Sequence, residues 1–78
     1  MLYQKMFKYQ IGEKVKANAE VRVYDPSIKH VKSVWKEVEG TITNSTPLLV
    51  CGKIENWYLL EGKYDVYNIK ENNILEIL

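Results

Sequence analysis

The chain alternates charged and apolar residues over several short stretches, which is typical of β-strands with one buried face. This alternation covers residues 14–17, 20–24 and 37–43. In the second stretch Val21 and Val23 share one face, and Arg22 and Tyr24 lie on the other. Pro26 ends that stretch, because proline has no N–H for a ladder and fixes its own φ. The pattern therefore predicts separate short strands at these three places.

Residues 27–36 show a different spacing. Their apolar residues are three, three and one positions apart, with lysines between them: Ile28, Val31, Val34 and Trp35. This spacing favours a helical turn. A free-standing helix this short is marginal in water. We therefore expect a loop, with at most one helical turn, whose apolar side chains dock on the rest of the domain.

The second half of the chain continues the strand pattern. Residues 48–51 and 57–60 are apolar on both faces, as expected of central strands, and a turn is predicted at residues 44–47. A return strand is predicted at 64–67, a 3-10 turn within 69–73 and a final strand at 74–78. Gly40 stands where a bulge or a tight bend needs no side chain. The fold class predicted is all-β, a small SH3-like barrel of five to six short antiparallel strands with one 3-10 turn before the last strand.

The length of 78 residues indicates one domain, which buries only about 60–65 % of the surface that its unfolded chain exposes. We expect an N-terminal arm at residues 1–10 and the barrel domain at 11–78. With 46 % hydrophobic and 12 % aromatic residues, the chain is too apolar for disorder. The net charge is +1, from 11 Lys and Arg against 10 Asp and Glu. Because nucleic acid is bound through phosphate neutralisation, this small net charge gives the chain as a whole no electrostatic attraction to it. Binding through a local basic patch is still compatible with the sequence.

The single cysteine, Cys51, cannot form an internal disulfide, and no Cys/His set has metal-ligand spacing. In its apolar stretch this thiol is expected to pack as a small hydrophobic group. No stretch has the length of a signal-peptide core or of a membrane span. We expect a soluble intracellular protein, cytoplasmic or in a plastid-type organelle, that needs no cofactor of its own.

Four stretches carry a resemblance to a known family: residues 12–24, residues 38–42 (Val-Glu-Gly-Thr-Ile), residues 47–50 (Pro-Leu-Leu-Val) and residues 64–77. Together they resemble the variable subunit of ferredoxin:thioredoxin reductase, one of the SH3-like electron-transport accessory proteins. The resemblance covers nearly the whole domain. It implies a non-catalytic subunit that binds an iron–sulfur catalytic subunit and stabilises its cluster.

No nucleophile with a base, no paired carboxylates, no phosphate-binding glycine loop and no metal-ligand set can be assembled from the sequence. We therefore expect a binding or scaffolding role and not an enzyme. The candidates for a partner-binding surface combine exposed aromatic positions with a local cationic cluster that suits an acidic partner: Tyr24, Lys29, His30, Lys32, Trp35 and Tyr67.

Each candidate also has a purely structural interpretation. Trp35 and Trp57 are more often core residues, which so short a chain needs. His30 and the lysines are compatible with a solvated loop, and Tyr24 and Tyr67 fit a structural role as well as an interface. Two other functions remain open: a nucleic-acid-binding SH3-like barrel, because the lysines are interleaved with aromatics, and a homo-oligomeric structural protein such as a phage component.

Overall fold

The computed structural model describes residues 6–78, which form five β-strands and one 3-10 turn. The strands are β1 (Lys14–Asp25), β2 (His30–Val50), β3 (Lys53–Glu61), β4 (Val66–Lys70) and β5 (Ile74–Ile77), and the 3-10 turn is Glu71–Asn73. All pair antiparallel in one sheet, in the order β4-β3-β2-β1-β5. The prediction of an all-β fold with five antiparallel strands and a 3-10 turn before the last strand is confirmed.

The 21-residue strand β2 runs the length of the molecule. Its first half pairs with β1 on one edge, and its second half pairs with β3 on the other edge. The two ladders meet at Thr41, which lies opposite both Lys14 and Glu61. Two hairpins therefore extend in opposite directions from a shared centre. We call residues 20–35 the first arm and residues 47–55 the second arm.

The two arms make the molecule long and flat. Its extents are 52 × 31 × 16 Å and its radius of gyration is 14.3 Å. A compact chain of this length has a radius of gyration of about 11.5 Å. Both arms are thus two-stranded ribbons that project beyond the packed centre.

The hydrophobic core lies at the centre, where all five strands overlap. Alternate residues of each strand point into it. The largest fully buried apolar residues are Tyr58, Ile42, Leu60, Ile69 and Val15. Tyr9, in the predicted N-terminal arm, is buried too, and its ring meets that of Tyr58 edge-on with centroids 5.8 Å apart. The chain before β1 therefore contributes to the core; the first half of the predicted arm, residues 1–5, lies outside the described residues.

Closure of the sheet into a barrel is not confirmed. In the described part of the chain β4 pairs only with β3 and β5 pairs only with β1, so each has one edge without a ladder. The sheet curves enough to bring β1 close to β4. The two strands enclose a groove of about 570 Å³ instead of pairing. The sheet is open along this groove.

Gly40 lies where the chain leaves no room for a side chain, as predicted. A Cβ atom at Gly40 would approach the carbonyl oxygen of Glu61 to 3.0 Å and the Cβ of Leu60 to 3.2 Å. The ladder between β2 and β3 shifts register just beyond this point, between Ile42 and Asn44. Close backbone approach and a register shift are what a glycine in a strand often marks.

Three local predictions are wrong. Residues 30–36 form the start of β2 and not a loop with a helical turn, because the whole stretch pairs with β1 from Asp25 to Ala19. Residues 18–19 do not interrupt β1, which is continuous. Residues 44–47 are not a turn either, because they lie inside β2 and pair with β3, just after the register shift at Thr43. In each case cross-strand pairing overrode a weak local preference.

The stretch at residues 48–51 is also not a buried central strand. Its apolar side chains lie at the end of the second arm, where Leu49 is 76 % exposed. Cys51 is exposed in the turn and does not pack as a small hydrophobic group, so that prediction is wrong. Cys51 and Gly52 have φ angles of 51° and 79°, the geometry of a tight type I′ hairpin turn.

Candidate functional site

The first arm presents two aromatic side chains on one face. Tyr24 lies opposite Val31, and Trp35 lies opposite Glu20 on the same face of the ribbon, because paired residues and alternate residues share a face. Tyr24 is 63 % exposed and Trp35 is 62 % exposed. The structural interpretation of Trp35 as a core residue is therefore wrong, since the arm extends beyond the centre where the core lies. Large exposed aromatics on one face are typical of interaction surfaces.

The turn at the tip of the first arm is held by Asp25. Its Oδ1 accepts hydrogen bonds from the backbone N–H of Ser27 at 2.9 Å and from the Ser27 hydroxyl at 2.6 Å. Its Oδ2 lies 3.0 Å from Nζ of Lys32. The hydrogen bond from the Ser27 hydroxyl, followed by that from Lys32, lowers the pKa of Asp25. The carboxylate thus stays charged and neutralises one lysine of the predicted cationic cluster.

The other two basic candidates lie at the same tip. Lys29 occupies the last turn position with φ 51°. The next residue, His30, begins β2, and its Nδ1 lies 2.8 Å from the carbonyl oxygen of Val31, to which it can donate. Both side chains are exposed. Neither makes a salt bridge with a carboxylate of residues 6–78.

Tyr67 lies apart from the other five candidate residues. It is on β4, opposite Leu60, and it is partly buried against the core. It lines the open groove between β1 and β4 together with Val21 and Arg22 at the base of the first arm. The fold therefore brings Tyr24, Lys29, His30, Lys32 and Trp35 together on the first arm, with Tyr67 across the groove from its base.

Trp57 is half-buried on the outer face of β3, and its indole N–H is out of contact with solvent. No acceptor among residues 6–78 receives a hydrogen bond from its Nε1. A buried donor left without an acceptor costs about 1–3 kcal/mol. Two grooves, of about 240 and 430 Å³, lie beside this residue. Sequence reasoning missed these grooves, because the side chains that line them come from different strands.

The second arm carries a different exposed surface, which the sequence reasoning also missed. Its end is apolar on both faces of the ribbon: Leu48 and Val50 on one face, Leu49 and Ile54 on the other. Lys53 is the single charged residue between Thr43 and Ile54. The signal in the sequence was the run Leu-Leu-Val-Cys, which is equally compatible with a buried strand.

The chemistry available in the described residues is limited. No group of three or more His, Cys, Asp or Glu residues within 6–78 is placed to hold a metal ion. No helix in the same residues has the length and apolarity that a membrane crossing requires.

Comparison with known proteins gave no match: no family model, no curated protein and no solved structure is significantly similar to this chain. The geometry of the surface and the resemblance of the four sequence stretches are therefore the basis for a functional proposal.

Proposed function

We propose that this chain is a non-catalytic accessory subunit that binds a protein partner through the first arm. The observation that carries the proposal is the pair of exposed aromatic residues, Tyr24 and Trp35, on one face of a projecting ribbon. Exposing two such large rings to water is unfavourable, and burying them in an interface recovers that free energy. Tyrosine and tryptophan are also the residue types that most often dominate binding energy at interfaces.

The charge of the arm favours an acidic protein surface as the partner. Lys29 and His30 lie at the tip next to the aromatic face, so an acidic partner would gain both a hydrophobic contact and charge complementarity. Nucleic acid fits less well, because its affinity depends on several simultaneous phosphate contacts. Asp25 already neutralises Lys32 at this tip.

The specific partner that we propose is the iron–sulfur catalytic subunit of a thioredoxin-reductase-like redox enzyme. The support for this choice is the resemblance of residues 12–24, 38–42, 47–50 and 64–77 to the variable subunit of ferredoxin:thioredoxin reductase. In that arrangement the chain itself carries no redox group. It would clasp the catalytic subunit and protect its cluster.

Affinity isolation of the tagged chain from its native cells tests both levels of the proposal. The wild type should recover a protein partner, and Tyr24→Ala combined with Trp35→Ala should lose it. Tyr64→Ala is the matched control, because Tyr64 is 85 % exposed but lies in the turn between β3 and β4. Mass spectrometry identifies the partner, and visible absorption of the eluate detects an iron–sulfur cluster.

The outcomes separate the alternatives. A brown eluate with a cysteine-rich subunit supports the redox proposal, whereas a colourless protein partner supports the accessory role and overturns the redox part. Recovery that nuclease treatment abolishes would replace the proposal with nucleic-acid binding. Recovery of the chain alone, or in multiples of itself by light scattering, would overturn it in favour of a homo-oligomer.

A further inference from the structure

The outer face of the sheet carries one continuous cleft around Trp57. Its smaller part, about 240 Å³, is bordered by Trp35 and Trp57. Its larger part, about 430 Å³, continues past Trp57 to Leu59 and Leu48. Asn68 lines both parts, so they adjoin. We call this surface the tryptophan cleft.

Three carboxamides line the smaller part of the cleft beside the two indoles: Asn18 of β1, Asn68 of β4 and Asn73 of the 3-10 turn. None of these three side chains makes a hydrogen bond to another residue of the described chain. Each carboxamide offers two donors on nitrogen and an acceptor on oxygen. Aromatic walls with a few converging, unengaged polar groups are the usual make-up of a small-molecule site.

The charges in the cleft do not favour a strongly anionic ligand. Glu20 lines the smaller part, and within residues 6–78 it has no cationic partner. The lysine of the same lining, Lys70, is paired with Glu55, with Nζ 2.5 Å from its Oε2. The formal charges of Glu20 and Lys70 cancel within the lining, and its one lysine is already paired, so phosphate groups find no free cation there. A neutral ligand with many hydroxyl groups needs no such cation.

We propose that the tryptophan cleft binds a neutral polysaccharide chain. The indole rings of Trp35 and Trp57 provide electron-rich faces for the positively polarised C–H groups of pyranose rings. The carboxamides of Asn18, Asn68 and Asn73 pair with sugar hydroxyls, which also both donate and accept. The two adjoining parts of the cleft match successive rings of a chain and not a single sugar.

The indole N–H of Trp57 is consistent with this ligand. It is the one indole group in the cleft whose nitrogen is buried without an acceptor among residues 6–78. Buried donors without partners are rare in native proteins and call for an explanation. A ligand hydroxyl would supply the acceptor if the indole turned its N–H into the cleft on binding.

Native electrophoresis in gels that contain a polysaccharide tests this proposal with the full chain. The gels contain hydroxyethylcellulose, mannan or xylan as neutral polymers, and polygalacturonate as an anionic comparison. The wild type should be retarded by at least one neutral polymer and not by polygalacturonate. Trp35→Ala and Asn68→Ala change exposed residues, so both should fold, which circular dichroism checks. Each variant should be retarded less, because its affinity for the polymer should fall about tenfold, the loss expected for one stacking or hydrogen-bonding group.

Two variants keep this test independent of the proposed protein-binding role. Tyr24 does not line the cleft, so Tyr24→Ala should bind polysaccharide like the wild type, while Asn68→Ala should keep the protein partner. The cleft proposal is overturned if no neutral polymer retards the wild type, if polygalacturonate binds better than the neutral polymers, or if folded Trp35→Ala and Asn68→Ala are retarded as strongly as the wild type.

Discussion

The hydroxyl group of Tyr58 lies 2.5 Å from Oε2 of Glu71, and both residues are buried in the centre of the molecule. The same hydroxyl accepts a hydrogen bond from the backbone N–H of Tyr9 at 3.2 Å. Oε2 of Glu71 also accepts hydrogen bonds from Nδ2 of Asn56 and from the backbone N–H of Lys8. These contacts join β3, the 3-10 turn and the segment before β1 through one carboxylate. The network therefore links three separate parts of the chain.

Replacing Tyr58 with phenylalanine should destabilise the protein by about 1–3 kcal/mol, because the change removes a buried donor from Glu71 and an acceptor from Tyr9. The ring contacts with Phe7 and Tyr9, both at 5.8 Å between centroids, stay in place. Urea denaturation followed by tryptophan fluorescence measures the free energy of unfolding. Tyr64→Phe is the control, since Tyr64 is exposed. Equal stability of the two variants would mean that the network does not stabilise the fold.

The stability of the protein should fall at high pH through the same residue. Burial, and secondly the hydrogen bond to Glu71, raise the pKa of Tyr58 from its ordinary value of 10.0 to about 12. The folded state therefore favours the neutral phenol. Its contribution is fully present below pH 10 and is lost as the pH rises from 10 to 12.

The wild type and Tyr58→Phe differ in this group alone, which isolates its titration from that of the lysines. The difference between their unfolding free energies should be constant below pH 10 and should shrink between pH 10 and 12. Denaturation curves for both proteins across this range provide the measurement. A difference that stays constant to pH 12 would contradict the raised pKa.

Replacing Gly40 with alanine should destabilise the protein by about 1–3 kcal/mol, the usual cost of forcing an extra methyl group into a packed site. The new Cβ would lie 3.0 Å from the carbonyl oxygen of Glu61, which is backbone and cannot move aside cheaply. Thermal unfolding followed by circular dichroism measures the effect. Ser33→Ala, at an exposed position of the same strand, should leave the melting temperature nearly unchanged. A Gly40→Ala protein as stable as Ser33→Ala would show that β2 and β3 can separate at this point.

Replacing Cys51 with asparagine should stabilise the protein by about 0.5–1 kcal/mol. Cys51 has a φ of 51° in the turn of the second arm, and an asparagine followed by Gly52 is the preferred pair for this turn. The melting temperature reports the change. Cys51→Val is the opposite test, because a β-branched residue is strained at positive φ and should lower the stability. A lower melting temperature for Cys51→Asn would show that the thiol makes a favourable contact in the turn.

The predicted site was located only in part by the sequence. Proline at position 26 correctly marked the end of a strand, because the backbone restriction of proline is local, whereas the basic loop expected over residues 27–36 is a short turn followed by β2. The exposure of Trp35 could not be predicted in the same way. Its burial depends on how far the ribbon of β1 and β2 extends beyond β3 and β5, which pair with other parts of the chain. The tryptophan cleft was missed for a related reason, since Asn18, Trp57 and Asn73 are far apart in sequence.

The sequence by itself determined the all-β class, the end of a strand at Pro26, the 3-10 turn and the short final strand. Alternation with a period of two and the backbone preferences of proline and glycine act over a few residues, so they can be read locally. Only the tertiary structure decided that β1 and β2 are long and continuous, that Tyr9 belongs to the core, and that the sheet stays open between β1 and β4. These features depend on which strand edges meet and where each ladder ends. Pairing between distant residues sets both, and the local pattern of a strand is the same whether its edge is paired or free.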